Sequence, residues 1–133
     1  MMTIETLYND IGKAVKDVCE RIYAKNRPKS VDKRSDSYIV VRLPSGIYNQ
    51  EIGDGYNDFT TTAQIEIYVR NTTSRENPNS FNVAKTSEKV QEVLERFPIS
   101  TDNIVVTRPV ITLQADDGDG FDVTIIQGEL RTK

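Results

Sequence analysis

The stretch Thr60 to Arg70, TTTAQIEIYVR, alternates apolar and polar residues with a strict period of two. Ala63, Ile65, Ile67 and Val69 fall on one face, and Thr62, Gln64, Glu66, Tyr68 and Arg70 on the other. A strand of this kind belongs to an antiparallel sheet with one face buried, and something else in the chain must cover its apolar side. With 133 residues the chain has the size of one domain, 1–133, burying about two-thirds of its unfolded surface around one core.

Two segments read as the cover. From Ile4 to about Ala24 the apolar residues Ile4, Leu7, Ile11, Val15, Val18 and Ile22 recur at steps of three or four, one stripe of an α-helix with Thr3 as N-cap and Glu5 in the first turn. Gly12 in its middle costs about 1 kcal/mol relative to Ala. Cys19, the only cysteine, lies beside the stripe as a small core residue. It has no partner for an internal disulfide and no histidine to activate it, so a reducing compartment is expected. The second helix, FNVAKTSEKVQEVLERF, is capped by Asn79 or Ser80. It places Val83, Ser87, Val90, Leu94 and Phe97 on one stripe and stops at Pro98.

The remaining segments supply strands and connections. SYIVVRL, Ser37 to Leu43, reads as a strand with Val40 on one face and Ile39 and Val41 on the other, ended by Pro44, Ser45 and Gly46. Residues 44–58 read as a long loop bearing Tyr48 and Tyr56, either a contact for a partner or a solvated excursion between paired strands. Ile104 to Leu113 reads as a strand that Pro109 confines to an edge or a bulge. After the turn QADDGDG, residues Phe121 to Arg131 return with Phe121, Val123 and Ile125 on one face and a bulge at Gly128. The fold class is therefore α+β, an antiparallel sheet of about four strands with two helices packed on one face.

Candidate chemistry is sparse. Asp116, Asp117, Asp119 and Asp122 cluster in sequence, yet an EF-hand loop started at Asp117 puts Phe121 at its third ligand position and has no closing glutamate. Acidic residues with glycine between two strands are also what a hairpin turn prefers. With no histidine, no Gly-rich phosphate loop and no nucleophile motif, no catalytic residue, metal or cofactor is assigned and an enzyme is not expected. Lys25, Arg27, Lys29, Lys33 and Arg34 make a basic loop, the basis of an alternative reading as a small nucleic-acid-binding module through 25–34. Asp32 and Asp36 interrupt the basic stretch and no aromatic side chain is interleaved for stacking, so a solvated linker is favoured. The net charge of −3 argues the same way. The opening MMTIETLYND shows no basic leader followed by an apolar run, so neither a secretion signal nor a membrane partner is expected.

The order helix, basic loop, strand, long loop, alternating strand, linker, proline-stopped helix and final hairpin, with SYIVVRL, TTAQIEIYVR and ERFP in their places, resembles the tail terminator proteins of tailed phages and prophages. These are also called tail completion or head-to-tail joining proteins, and the resemblance spans nearly the whole chain. It implies a non-enzymatic structural subunit that forms a homo-oligomeric ring, commonly a hexamer. Such a ring caps the tail tube, meets the tube protein on one side and the head connector or neck on the other, and assembles in the host cytoplasm into the virion tail. It implies no sequence-specific nucleic acid. For the contact between subunits the sequence offers Tyr48 and Tyr56 on the 44–58 segment and the polar row Thr62, Gln64, Glu66, Tyr68 and Arg70, since tyrosines are frequent anchors of interfaces.

Overall fold

A computed structural model describes residues 4–19, 21–24, 36–44, 48–52, 55–71, 82–117 and 120–133. Helix α1 runs Ile4–Ala14 and strand β1 Arg21–Ala24, followed by β2 Ser37–Arg42, β3 Tyr48–Ile52 and β4 Gly55–Arg70. Helix α2 runs Val83–Glu95, and β5 Ile99–Ser100, β6 Ile104–Asp116 and β7 Phe121–Thr132 complete the chain. The strands form one sheet in the order β1-β2-β4-β7-β6-β5, with β3 paired to β4 beyond the end of β2. The α+β class holds. The expected four antiparallel strands are corrected to seven in a mixed sheet, because β1 lies parallel to β2.

Strand β4 is the axis of the sheet, and its alternation sets both faces. Ala63, Ile65, Ile67 and Val69 are buried in a cluster with Ile39 and Val41 of β2, Ile104 and Val106 of β6, and Ile126 and Leu130 of β7. Both helices contribute to that same cluster, α1 through Leu7 and Ile11 and α2 through Val90 and Val93, so they cover one face together. Each fully buried Leu, Ile or Val side chain stabilises by about 1.5–3 kcal/mol, and this cluster is the principal source of stability.

Three expectations for the helical segments change. The stripe read as one helix to Ala24 leaves the helix at Ala14: the Val15 N–H bonds to Gly12 O at 3.3 Å and the Val18 N–H to Val15 O at 3.1 Å, successive tight turns that keep both valines in the core. The carbonyls released there are taken by α2, with Arg96 Nη1 donating to Ala14 O (3.0 Å) and Lys89 Nζ to Val18 O (2.6 Å). Ile22 then belongs to β1 and still packs on the core. The α2 cap is Asn82, whose side chain accepts from the Lys85 N–H at 3.1 Å; Asn79 and Ser80 lie outside the described residues. Its buried residues are Thr86, Val90 and Val93, while Val83 and Ser87 are exposed, so the inward face is turned from the expected one.

The hairpin β6–β7 bears out the reading of Pro109. Register shifts occur between Thr107 and Val110 and again between Ile111 and Leu113, and Arg108 has φ +56°. The bulge expected at Gly128 is on the other strand: β7 keeps continuous register with β4 through the pair Ala63 and Gly128, and the extra residues belong to β6 opposite it. Gly128 is needed for closeness. A Cβ there would stand 2.8 Å from Val106 Cγ1, 3.0 Å from Phe97 Cε2 and 3.2 Å from Thr107 O.

Candidate functional site on the second sheet face and the hairpin arm

The face of the sheet away from the helices is built by the same alternation. In β2, period two puts Tyr38 and Val40 opposite Ile39 and Val41, and pairing with β4 sets Tyr38 beside Tyr68 and Arg42 beside Gln64. The rings of Tyr38 and Tyr68 stack with centroids 4.5 Å apart and planes 8° apart. Phe121 of β7 meets Tyr38 edge-on at 5.2 Å, Tyr23 of β1 does so at 5.8 Å, and the Arg70 guanidinium lies 4.7 Å from the Phe121 centroid. With Val40 and Val123 these rings form a second buried cluster, separate from the first.

Beside the rings runs a polar network centred on Glu66. Its carboxylate accepts from Gln64 Nε2 at 2.6 Å and Tyr68 Oη at 2.9 Å and pairs with Arg42 Nε at 2.8 Å; Gln127 Nε2 donates in turn to Gln64 Oε1 at 2.7 Å. Glu66 is only 5% exposed, so the carboxylate is stabilised by these neighbours and not by bulk water. The row read from sequence as an outward polar face is corrected accordingly. Gln64, Glu66 and Tyr68 are buried, Thr62 and Arg70 are half-buried, and Thr61 on the same strand is buried. The network's remaining members, Arg42 and Gln127, were signalled by the alternation of SYIVVR and FDVTIIQ, which places each on the same face as the β4 row.

The acidic turn is structural in its contacts. Asp117 closes it, with its backbone N–H bonding to Phe121 O at 2.9 Å and its Oδ1 accepting the Phe121 N–H at 3.2 Å, and Gly120 takes φ +90°. Asp116 and Asp122 are cross-strand partners. Asp122 is buried and accepts from Asn71 Nδ2 at 2.6 Å; burial, and then the neighbouring Asp116 charge, hold its pKa above the usual carboxylate value. Asp119 lies outside the described residues, as does the basic run 25–34. Among the described residues no three His, Cys, Asp or Glu side chains converge as a metal-holding group. Cys19 is buried, and burial pushes its thiol pKa up. Among the described residues no helix is long and apolar enough to cross a membrane.

Within the segment 44–58, expected to be a loop, residues 48–52 and 55–58 are corrected to paired strands that form an arm on the sheet. Tyr48 pairs with Thr60, Asn49 with Phe59, Gln50 with Asp58 and, after a register shift, Ile52 with Gly55. Pairing between β4 and β7 stops at Thr60 with Arg131, so Gly55 to Phe59 extend past β7 with β3 as their paired strand. Five residues of strand reach about 17 Å. The side chains of Tyr48 and Tyr56 lie outside what the structure describes, but both residues are on the strands of this arm.

No protein-family model matches the chain. No curated protein matches it in sequence. A solved protein structure aligns with the whole of this chain and 97% of its own, with a TM-score of 0.63 and 12% sequence identity. At that identity the likeness shows a shared fold and nothing of function.

Proposed function

We propose that the protein is a non-enzymatic structural subunit of a phage-like tail, one of several copies in a ring that caps the tail tube and joins it to the head connector. The observation that carries this reading is the arm formed by β3 and the first residues of β4. A two-stranded ribbon is marginally stable on its own, and one that leaves the sheet body gains its burial when it lies on a neighbour. A ring is closed by heterologous contacts, in which one patch of each subunit meets a different patch of the next. The arm supplies one such patch, with Tyr48 and Tyr56 as its anchors. Thr62 and Arg70 have surface left to join the contact, while Gln64, Glu66 and Tyr68 hold the sheet behind them.

Native mass spectrometry and negative-stain imaging across a concentration series, with and without tube protein, test this. Closed rings at high concentration or on tube ends are expected, lost in a Tyr48→Ala, Tyr56→Ala double variant that keeps its melting temperature. Monomers throughout, with salt-sensitive DNA binding abolished by changing Lys29, Lys33 and Arg34, would replace the ring with the nucleic-acid module.

A further inference from the structure

A groove lies at the β1 edge of the sheet, between that strand and α1. It has a volume of about 280 Å³ and is lined by Tyr8, Gly12 and Lys13 of α1, Lys16 of the turns after it, Ile22 of β1 and Val41 of β2. Small-molecule sites have roughly 300–1,000 Å³, so a groove of this size suits a few side chains of a protein partner. Gly12 keeps it open. A Cβ at that position meets only Ile22 Cγ2, at 3.8 Å, so a longer side chain placed there enters the groove without a clash at its first carbon.

Charge selects the occupant. Lys13 and Lys16 are both exposed, and no Asp or Glu is among the described residues that line the groove. Asp17 stands outside that lining, and Asp10 belongs to a different groove, where it accepts from Thr101 Oγ1 at 2.8 Å and Asn103 Nδ2 at 3.1 Å. An anionic guest is therefore favoured, on a chain whose own net charge is −3. The strand residues of the arm, YNQEI and GYNDF, carry Glu51 and Asp58 and no lysine or arginine, together with Tyr48, Ile52, Tyr56 and Phe59. The arm leaves the sheet from β4, with β2 between it and β1, so groove and arm are two different patches of one subunit. A ring contact requires such a pair. We infer that the groove between α1 and β1 receives the arm of a neighbouring copy of this chain, the arm's acids meeting Lys13 and Lys16. The inference rests on the ring reading and supplies the second patch of that contact.

Charge reversal in the full chain tests it, read by native mass spectrometry across a concentration series. Lys13→Glu with Lys16→Glu, and separately Glu51→Lys with Asp58→Lys, should each weaken ring formation by about tenfold or more, because like charges then face each other across the contact. A chain carrying all four changes should form rings again. Gly12→Leu tests the groove without touching charge: leucine favours the helix, so the melting temperature should not fall, while the side chain fills the space and assembly is lost. Unchanged thermal melts of the reversed chains verify that they fold. Rings that form in the groove variants as they do in the parent overturn the inference and leave the ring reading standing. So does a four-change chain that stays apart while each pair of changes alone abolishes the ring. A parent that is monomeric at every concentration and on tube ends overturns both. Salt-sensitive DNA binding that is lost with Lys13→Glu and Lys16→Glu while rings persist would assign the groove to nucleic acid instead.

Discussion

The two faces of β4 are both buried, by different chemistry. The side carrying Ala63, Ile65, Ile67 and Val69 is closed by two helices around a mainly aliphatic cluster, whereas the side carrying Gln64, Glu66 and Tyr68 is closed by stacked rings and a bonded carboxylate. Dry packing is non-directional and tolerates an exchange of one aliphatic chain for another of similar volume. A buried network is directional, so each member depends on the others keeping their positions. The first face therefore supplies most of the stability, and the second fixes how β2, β4 and β7 sit relative to one another.

The sharpest way to break the contrast is to place a charge on each side. Ile67→Asp puts an unpaired carboxylate among aliphatic side chains under both helices, which costs several kcal/mol, a large part of what a domain of this size has. Loss of soluble, cooperatively melting protein is expected. An unchanged melting temperature would mean that the helices do not cover this face. On the other face the existing charge can be removed: Glu66→Leu leaves Gln64 and Tyr68 without their common acceptor and takes the carboxylate from beside Arg42. A destabilisation of about 2–4 kcal/mol is expected in denaturant titration. Because the aliphatic side chain still fills the space, a loss below about 0.5 kcal/mol would show the network to be replaceable by packing.

Closeness distinguishes the faces as well. Gly128→Ala directs a methyl group at Val106 and Phe97 on the helix side, where the gaps are too small for it, and the backbone oxygen of Thr107 blocks a shift the other way. Overpacking of this kind costs about 1–3 kcal/mol, measurable as a lower midpoint with unchanged slope in urea. Gly12→Ala is the control: its Cβ would sit 3.8 Å from Ile22 Cγ2, an ordinary contact, and alanine favours the helix. That variant is expected to be neutral or more stable.

What the sequence makes legible follows from the range of the interactions involved. The faces of β4 and β2, the proline-marked irregularity in β6 and the stop of α2 at Pro98 are local, set by period two or by one residue's missing N–H. The end of α1 is not local. Val15, Val18 and Ile22 keep helical spacing after the helix has ended, because tight turns and a strand return them to the same core, and the carbonyls that make this tolerable are met by Arg96 and Lys89 from far along the chain. The burial of Glu66 is likewise invisible in TTTAQIEIYVR, since Tyr38, Arg42, Phe121 and Gln127 come from other strands. The hairpin arm had a local signal that polarity hides: GDG between YNQEI and YNDFT is turn chemistry between two short strand-like runs.

The smallest expected effect concerns Asp122, a buried carboxylate that shares the helix-side face with its cross-strand partner Val69, set against Glu66 on the other face. Glu66 has a cation beside it; Asp122 has one amide donor, Asn71, and a like charge across the strand pair at Asp116. Burial first and Asp116 second raise its pKa above the ordinary carboxylate value, so the folded chain holds this proton to higher pH than the unfolded chain does. Over that window folding takes up a proton, and stability from this group falls as the pH rises from about 3.8 through the folded pKa, the loss being complete above it. Asp122→Asn removes the charge and keeps an oxygen to accept from Asn71 Nδ2. The melting temperature of the variant minus that of the parent should therefore increase between pH 3 and pH 7, with the variant the more stable at neutral pH. A difference that stays flat or shrinks over that range would mean that Asn71 fully compensates the charge, and the buried carboxylates of the two faces would then be equally satisfied.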